Sequence, residues 1–203
     1  MYKPRKIAIM IFDDAELLDF AGPFEVFSVS NDMQTGDPLF EVYTVAAKDG
    51  PINARNGLSV NPTYTLATCP KPDIFLIPGG RGVRAELDNA VAIDWITSQA
   101  SDAELVLSVC TGAWMLAQAG LLKGLAATTY HTAFDRLQEI EPNVALRPGE
   151  RWVDNGRVIT SAGVSAGIDM ALHVVARLHG EDQAVHTARH MEYEYYLTHH
   201  LAK

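Results

Sequence analysis

Four short apolar runs rich in β-branched residues punctuate the chain, at residues 7–12, 40–46, 74–77 and 105–109. None shows the polar alternation of a half-exposed strand, so each reads as a strand buried on both faces. Between and after them the period becomes helical, over residues 17–30, 91–101, 111–119, 131–140, 165–178 and 181–196. In the fifth segment Ile168, Ala171, Leu172, Val175 and Leu178 form one stripe, which predicts a helix face turned to a sheet. Gly120 and Gly180 suit the left-handed position that ends two of these helices. Asn155-Gly156 between Trp152-Val153 and Val158-Ile159-Thr160 predicts a β-hairpin with a type I′ turn. Strands alternating with helices imply an α/β three-layer sandwich, its mostly parallel sheet covered on both faces, with the hairpin as an antiparallel excursion. Neither repeats nor linkers divide the sequence, so residues 1–203 read as a single domain.

Composition narrows the function. The chain is 48% hydrophobic, enough for a sizeable core, and its 16 basic against 25 acidic residues give a net charge of −9. That charge repels nucleic acid and anionic membranes, so neither is expected as a partner. The first apolar run is too short for a signal sequence and runs into Asp13-Asp14. Two cysteines, Cys69 and Cys110, make no disulfide framework, so a reducing cytoplasm is the expected compartment.

Chemistry gathers where strands end. Cys110 closes the run 105–109 and is followed by Thr111-Gly112 and a helix. A tight strand-to-helix turn exposes the side chain at its apex, and in an open α/β sheet ligands bind at that edge. The helix amides and dipole beside the sulfur predict a lowered thiol pKa; the alternative is an inert buried cysteine. Pro78-Gly79-Gly80-Arg81-Gly82 ends the preceding strand at the same edge, so the amides of Gly79 or Gly80 with that of Thr111 are candidates for an oxyanion hole, and Gly112 lets backbone pass close by. Asp19 interrupts the apolar stretch Leu17-Leu18-Asp19-Phe20-Ala21-Gly22-Pro23; it either caps the helix or carries chemistry at the ligand edge. His131 reads either as a base near Cys110 or as an ordinary first-turn histidine. His186, His190 and Glu194 recur at metal-compatible helical spacing, although a solvated face is the expected reading. Cys69, between Thr68 and Pro70, reads as a structural loop residue.

Together these residues resemble the DJ-1/PfpI superfamily, whose cysteine elbow sits on a flavodoxin-like, class I glutamine amidotransferase-like sheet. The resemblance covers about residues 7–195 and is carried by Leu18-Asp19-Phe20-Ala21-Gly22-Pro23, Pro78-Gly79-Gly80, Ser108-Val109-Cys110-Thr111-Gly112, Gly120-Leu121-Leu122, Ala127-Thr128-Thr129 and Ala166-Gly167-Ile168-Asp169. Within the superfamily the chain is most similar to isonitrile hydratases and to the amidotransferase-like domains of transcriptional regulators. The resemblance implies Cys110 as nucleophile, Asp19 as its acid/base partner, Thr111 as an assisting residue, and a homodimer. Peptidase-like members place His where Thr111 stands, and glyoxalase-like and DJ-1 members generally place Glu where Asp19 stands. Hydratases resemble Thr-Thr-His-Trp where this chain has Thr128-Thr129-Tyr130-His131, and Trp114 stands where smaller residues are usual.

The expected reaction is therefore a cysteine-dependent hydration of a small neutral carbon electrophile such as an isonitrile, with no metal or organic cofactor required. Glyoxalase-like chemistry on methylglyoxal and a non-catalytic ligand- or redox-sensing module are the alternatives. The apolar-aromatic stretch from Phe20 to Phe27 further suggests a dimer face.

Overall fold

In the computed structural model, which describes residues 3–195, the apolar runs become strands whose side chains are almost wholly buried. The chain runs through β1 (Arg5–Met10), α1 (Leu17–Ser28), β2 (Phe40–Ala46), the small pair β3 (Ile52–Asn53) and β4 (Ser59–Val60), β5 (Tyr64–Thr65) and β6 (Ile74–Ile77). It continues through α2 (Val83–Glu86), α3 (Ala90–Ala100), β7 (Leu105–Val109), α4 (Gly112–Gln118), β8 (Ala126–Ala127), α5 (Phe134–Ile140) and β9 (Ala145–Leu146). The hairpin β10 (Trp152–Asp154) and β11 (Val158–Ser161) precedes α6 (Ala166–His179) and α7 (Glu181–His190).

Seven strands form one sheet in the order β10-β11-β7-β6-β1-β2-β5. Every neighbouring pair is parallel except β10 with β11. The step from β1 through α1 to β2 moves one way across the sheet, whereas those from β6 to β7 and from β7 to β11 move the other way. Right-handed crossovers therefore place α1 on one face and α3 and α4 on the opposite one. On the first face α6 packs against α1 and α7; on the second, α4 packs against α3 and α5. The reversal lies beside β1 and β6, so the crevice beyond their carboxyl ends is the ligand position of such a sheet. The stripe on α6 behaves as its period requires: Ala171, Leu172 and Val175 are wholly buried.

Several local expectations change. Two-residue type I′ turns need positive φ at both central positions, but in the hairpin only Gly156 takes it, at φ 87°. Asn155 instead turns its side chain to β8, accepting from the Ala126 amide and donating to the Ala126 carbonyl. Gly180 has φ 94° and ψ 157°, outside the left-handed helical well and in a region essentially reserved for glycine. The helix expected from His131 starts at Phe134, because Tyr130–Ala133 closes a turn through the Ala133 amide and the Tyr130 carbonyl. The last helix stops at His190, where Glu192 takes φ 49° and the Tyr193 amide returns to the Ala188 carbonyl. Tyr196 and His199-His200 lie outside the described residues. The stretch Phe20–Phe27 is consumed within the fold: Phe20, Val26 and Phe27 are buried and Phe24 packs on the core, so its apolarity is no argument for a dimer. No helix among the described residues is long and apolar enough to cross a membrane.

Candidate active site

The ends of β1, β6, β7 and β11 converge on Cys110. It follows β7 directly and takes φ 58°, a conformation that costs a non-glycine residue roughly 1–3 kcal/mol and persists only where its surroundings impose it. The Cys110 amide donates to the carbonyls of Ser161 and Ala162 at the end of β11, and the Thr129 hydroxyl donates to the Cys110 carbonyl at 2.8 Å. The glycines make room: a Cβ on Gly79 would lie 2.7 Å from the Cβ of Cys110 and 2.5 Å from the Thr111 nitrogen, and one on Gly112 would collide with the Ile77 carbonyl. Gly112 is thus a packing requirement and does not line the pocket described below.

Asp19 is fully buried in the first turn of α1, yet it caps nothing; Glu16 holds the N-cap position, without a side-chain bond. Its Oδ2 accepts from the Gly79 amide and its Oδ1 from the Val164 amide, both at 3.0 Å, and the thiol of Cys110 donates to it. Val164 has φ 55°, a rare conformation for a β-branched residue, and it turns its amide toward the carboxyl. Gly79, expected to contribute to an oxyanion hole, therefore spends its N–H on Asp19. The Gly80 amide donates to the Thr111 hydroxyl at 3.0 Å, while the Thr111 amide faces the Cys110 sulfur.

Burial dominates the electrostatics. It raises the Asp19 carboxyl to about 7, although the Gly79 and Val164 amides pull the other way. The thiol of Cys110, only 5% exposed, is pushed up by burial and next by the negative charge on Asp19; the Thr111 amide offsets part of this. The lowered thiol pKa expected from the helix start is overturned, because one turn of helix dipole cannot outweigh desolvation beside a carboxylate. The resting pair is an un-ionised thiol against a carboxyl that gains and loses its proton near neutrality.

Cys110 and Thr111 open into a pocket of about 240 Å³ whose lining includes Trp114, Tyr130, Glu16, Arg55, Arg81 and Arg84. Trp114 is buried, its Nε1 donating to the Ala133 carbonyl, and Arg84 lies over its ring. His131 is exposed, stacks on Tyr130 with ring centroids 4.2 Å apart, and is absent from the lining. Cys69 sits apart, its thiol directed at the Leu66 carbonyl as a loop contact. Glu194 lies beyond the end of α7, so it does not share a helical face with His186 and His190, and no group of three metal-binding side chains occurs among the described residues. The sequence reading missed Val164, Tyr130 and the three arginines. Arg55 and Val164 reach the site only through the packing of distant segments; Arg81, beside the glycine turn, was in plain view.

The sequence model of the DJ-1/PfpI family matches residues 5–177. The chain belongs to the DJ-1/PfpI family. It is 35% identical over 188 residues to an isonitrile hydratase of Pseudomonas putida, covering 93% of this chain and 78% of that one. It is also 32% identical over 170 residues to the transcriptional regulator CdhR of Pseudomonas aeruginosa, covering 83% of this chain but 49% of the regulator. Among solved structures, a ThiJ/PfpI family protein from Pseudomonas syringae superposes with a TM-score of 0.85 at 29% identity over 99% of this chain and 80% of that one. DJ-1beta of Drosophila melanogaster, at 21% identity and a TM-score of 0.83 over 95% of this chain and all of that one, shares the fold. This DJ-1/PfpI chain thus has the mostly parallel α/β sheet that its strand pattern implied and the flavodoxin-like fold that the resemblance implied.

Proposed function

We propose that this DJ-1/PfpI protein is a cytoplasmic cysteine-dependent hydratase that converts a small isonitrile to an N-substituted formamide. The observation that carries the proposal is the buried Asp19–Cys110 pair at the inner end of a small pocket, with the carboxyl raised to about 7. A group that both accepts and delivers a proton works best when its pKa lies near the working pH. In the first half-reaction Asp19 takes the thiol proton as the sulfur attacks the terminal isonitrile carbon, then passes that proton to the same carbon, giving a thioimidate. In the second, water adds to the thioimidate carbon; one water proton reaches the nitrogen by way of Asp19, the C–S bond breaks, and the remaining proton returns to the sulfur. One water is consumed and the thiol is restored.

Thr111 assists by holding its amide on the sulfur, and Gly79 and Val164 position the carboxyl. An oxyanion hole contributed by Gly80 requires its amide to leave the Thr111 hydroxyl. The similarity to the Pseudomonas putida isonitrile hydratase supports this substrate class. A homodimer is proposed on family resemblance alone. The regulators aligned over most of this chain support a second reading, in which the same pocket binds a ligand without turnover. Turnover of a small isonitrile, measured against methylglyoxal with Cys110→Ala as control, decides between them: isonitrile hydration that the variant abolishes is expected, and turnover of methylglyoxal alone, or of neither compound, overturns the proposal.

A further inference from the structure

The chemistry at Cys110 leaves the rest of the substrate open, and the charges around the pocket bear on it. Arg55, Arg81 and Arg84 line the pocket against a single carboxylate, Glu16. Arg55 and Glu16 neutralise each other through an ion pair of 2.6 Å. The guanidinium of Arg81 has no hydrogen bond or ion pair among the described residues, and that of Arg84 has only the face of Trp114, 5.4 Å from the ring centroid. Glu86 accepts from the Asn89 amide group; Asp135 and Glu139 line an adjoining cavity that Arg84 and Trp114 also border, and there Arg136 pairs with Glu139 and neither carboxylate forms an ion pair with Arg84. The pocket lining therefore holds two guanidinium groups without an ion-pair partner among the described residues, in a chain whose net charge is −9. Guanidinium groups match a carboxylate's geometry in a way that a neutral ligand does not use.

We infer that the substrate carries a carboxylate, bound by Arg81 and Arg84 while its electrophilic carbon meets the Cys110 sulfur. This rests on the reading of Cys110 as a nucleophile toward carbon, and it replaces the uncharged substrate expected from the sequence with a small anionic one. The volume of about 240 Å³ keeps that molecule small, below the ~300–1,000 Å³ of typical ligand clefts. Trp114 and Tyr130 supply the walls for its apolar part.

Two alkylating agents test the charge without any isonitrile. Iodoacetate and iodoacetamide lose the same iodide to the same thiolate and differ only in carboxylate against carboxamide, so the ratio of their rates cancels the thiol pKa. The ratio is measured at Cys110 by peptide mapping at pH about 9, with Cys69 in the same molecule as reference. Removal of each arginine, by Arg81→Gln or Arg84→Gln, is expected to lower the Cys110 ratio about twofold to fivefold, as exposed charge contacts do. Arg84→Lys should retain most of it, and about 0.5 M salt should erase the preference. Arg81 is exposed and outside the core, so Arg81→Gln carries the test. An unchanged ratio in both glutamine variants overturns the inference. Turnover of isocyanoacetate and its methyl ester separates this result from the hydratase reading. If neither is hydrated yet the ratio shifts, the carboxylate site stands and the reaction assignment falls. If the ester is hydrated as well as the acid and neither arginine variant alters that balance, the carboxylate site falls and the hydratase stands.

Discussion

Replacing Asp19 by asparagine should reverse the order of stability between variant and wild type as pH rises. In the folded protein the carboxyl is raised from 3.8 to about 7 by burial. At about 1.4 kcal/mol per pH unit, ionising it there costs about 4 kcal/mol more than in the unfolded chain. Below 3.8 both states hold the proton and nothing is lost. Between 3.8 and 7 the unfolded chain has released a proton that the folded protein keeps, so stability falls as pH rises; above 7 the full loss is in place. The asparagine carries no such term. It carries a fixed cost, because both carboxylate oxygens accept backbone N–H groups, from Gly79 and Val164. One of these donors must then face an NH₂ group, a buried mismatch of about 1–3 kcal/mol. Urea unfolding at pH about 4.5 and about 8 should therefore find the variant less stable than wild type at the lower pH and equal or more stable at the higher one, a swing of about 3 kcal/mol. Comparing the two proteins at each pH cancels the other titrating groups. A difference that stays constant within about 1 kcal/mol would refute the argument that burial controls this carboxyl. Turnover should fall by about 10²- to 10⁴-fold, since the amide cannot relay a proton; near wild-type turnover would remove Asp19 from the mechanism.

Alkylation of Cys110 by iodoacetamide should show a midpoint above the ~8.5 of an ordinary thiol, and Asp19→Asn should move it down by removing the neighbouring charge; a wild-type midpoint below 8.5 contradicts the electrostatics described. Thr129→Val leaves the buried Cys110 carbonyl without its hydroxyl donor and should cost about 1–3 kcal/mol in a thermal melt along with a slower Cys110 reaction; an unchanged melt and rate would show that the elbow does not need this bond. Gly79→Ala places a methyl group 2.7 Å from the Cys110 Cβ and should cost about 1–3 kcal/mol while separating Asp19 from the thiol, lowering activity more than stability; full activity would show that the loop yields freely. Sedimentation equilibrium should find a dimer at micromolar concentration, and a 22.2 kDa species would exclude it.

The sequence by itself determined the architecture and set Cys110 at the carboxyl end of a buried strand. Residues 7–12, 74–77 and 105–109 are apolar at every or nearly every position and 40–46 at all but Glu41 and Thr44; their shortness and β-branched content make each a strand covered on both faces. Parallel neighbours then oblige Cys110, the Gly79-Gly80 turn and the segment after β1 to share one edge. What the sequence left open at that edge was set by contacts between segments distant along the chain. Whether Asp19 capped a helix or faced Cys110 depended on amides from residues 79 and 164, and the second of these arrives only because β11 lies parallel beside β7, a placement that the hairpin signal at Asn155-Gly156 did not contain. The sign of the Cys110 shift was likewise a tertiary property. A helix start favours a thiolate in any such sequence, but the burial and the facing carboxylate that outweigh it exist only once α1, β6 and β11 have closed around the sulfur.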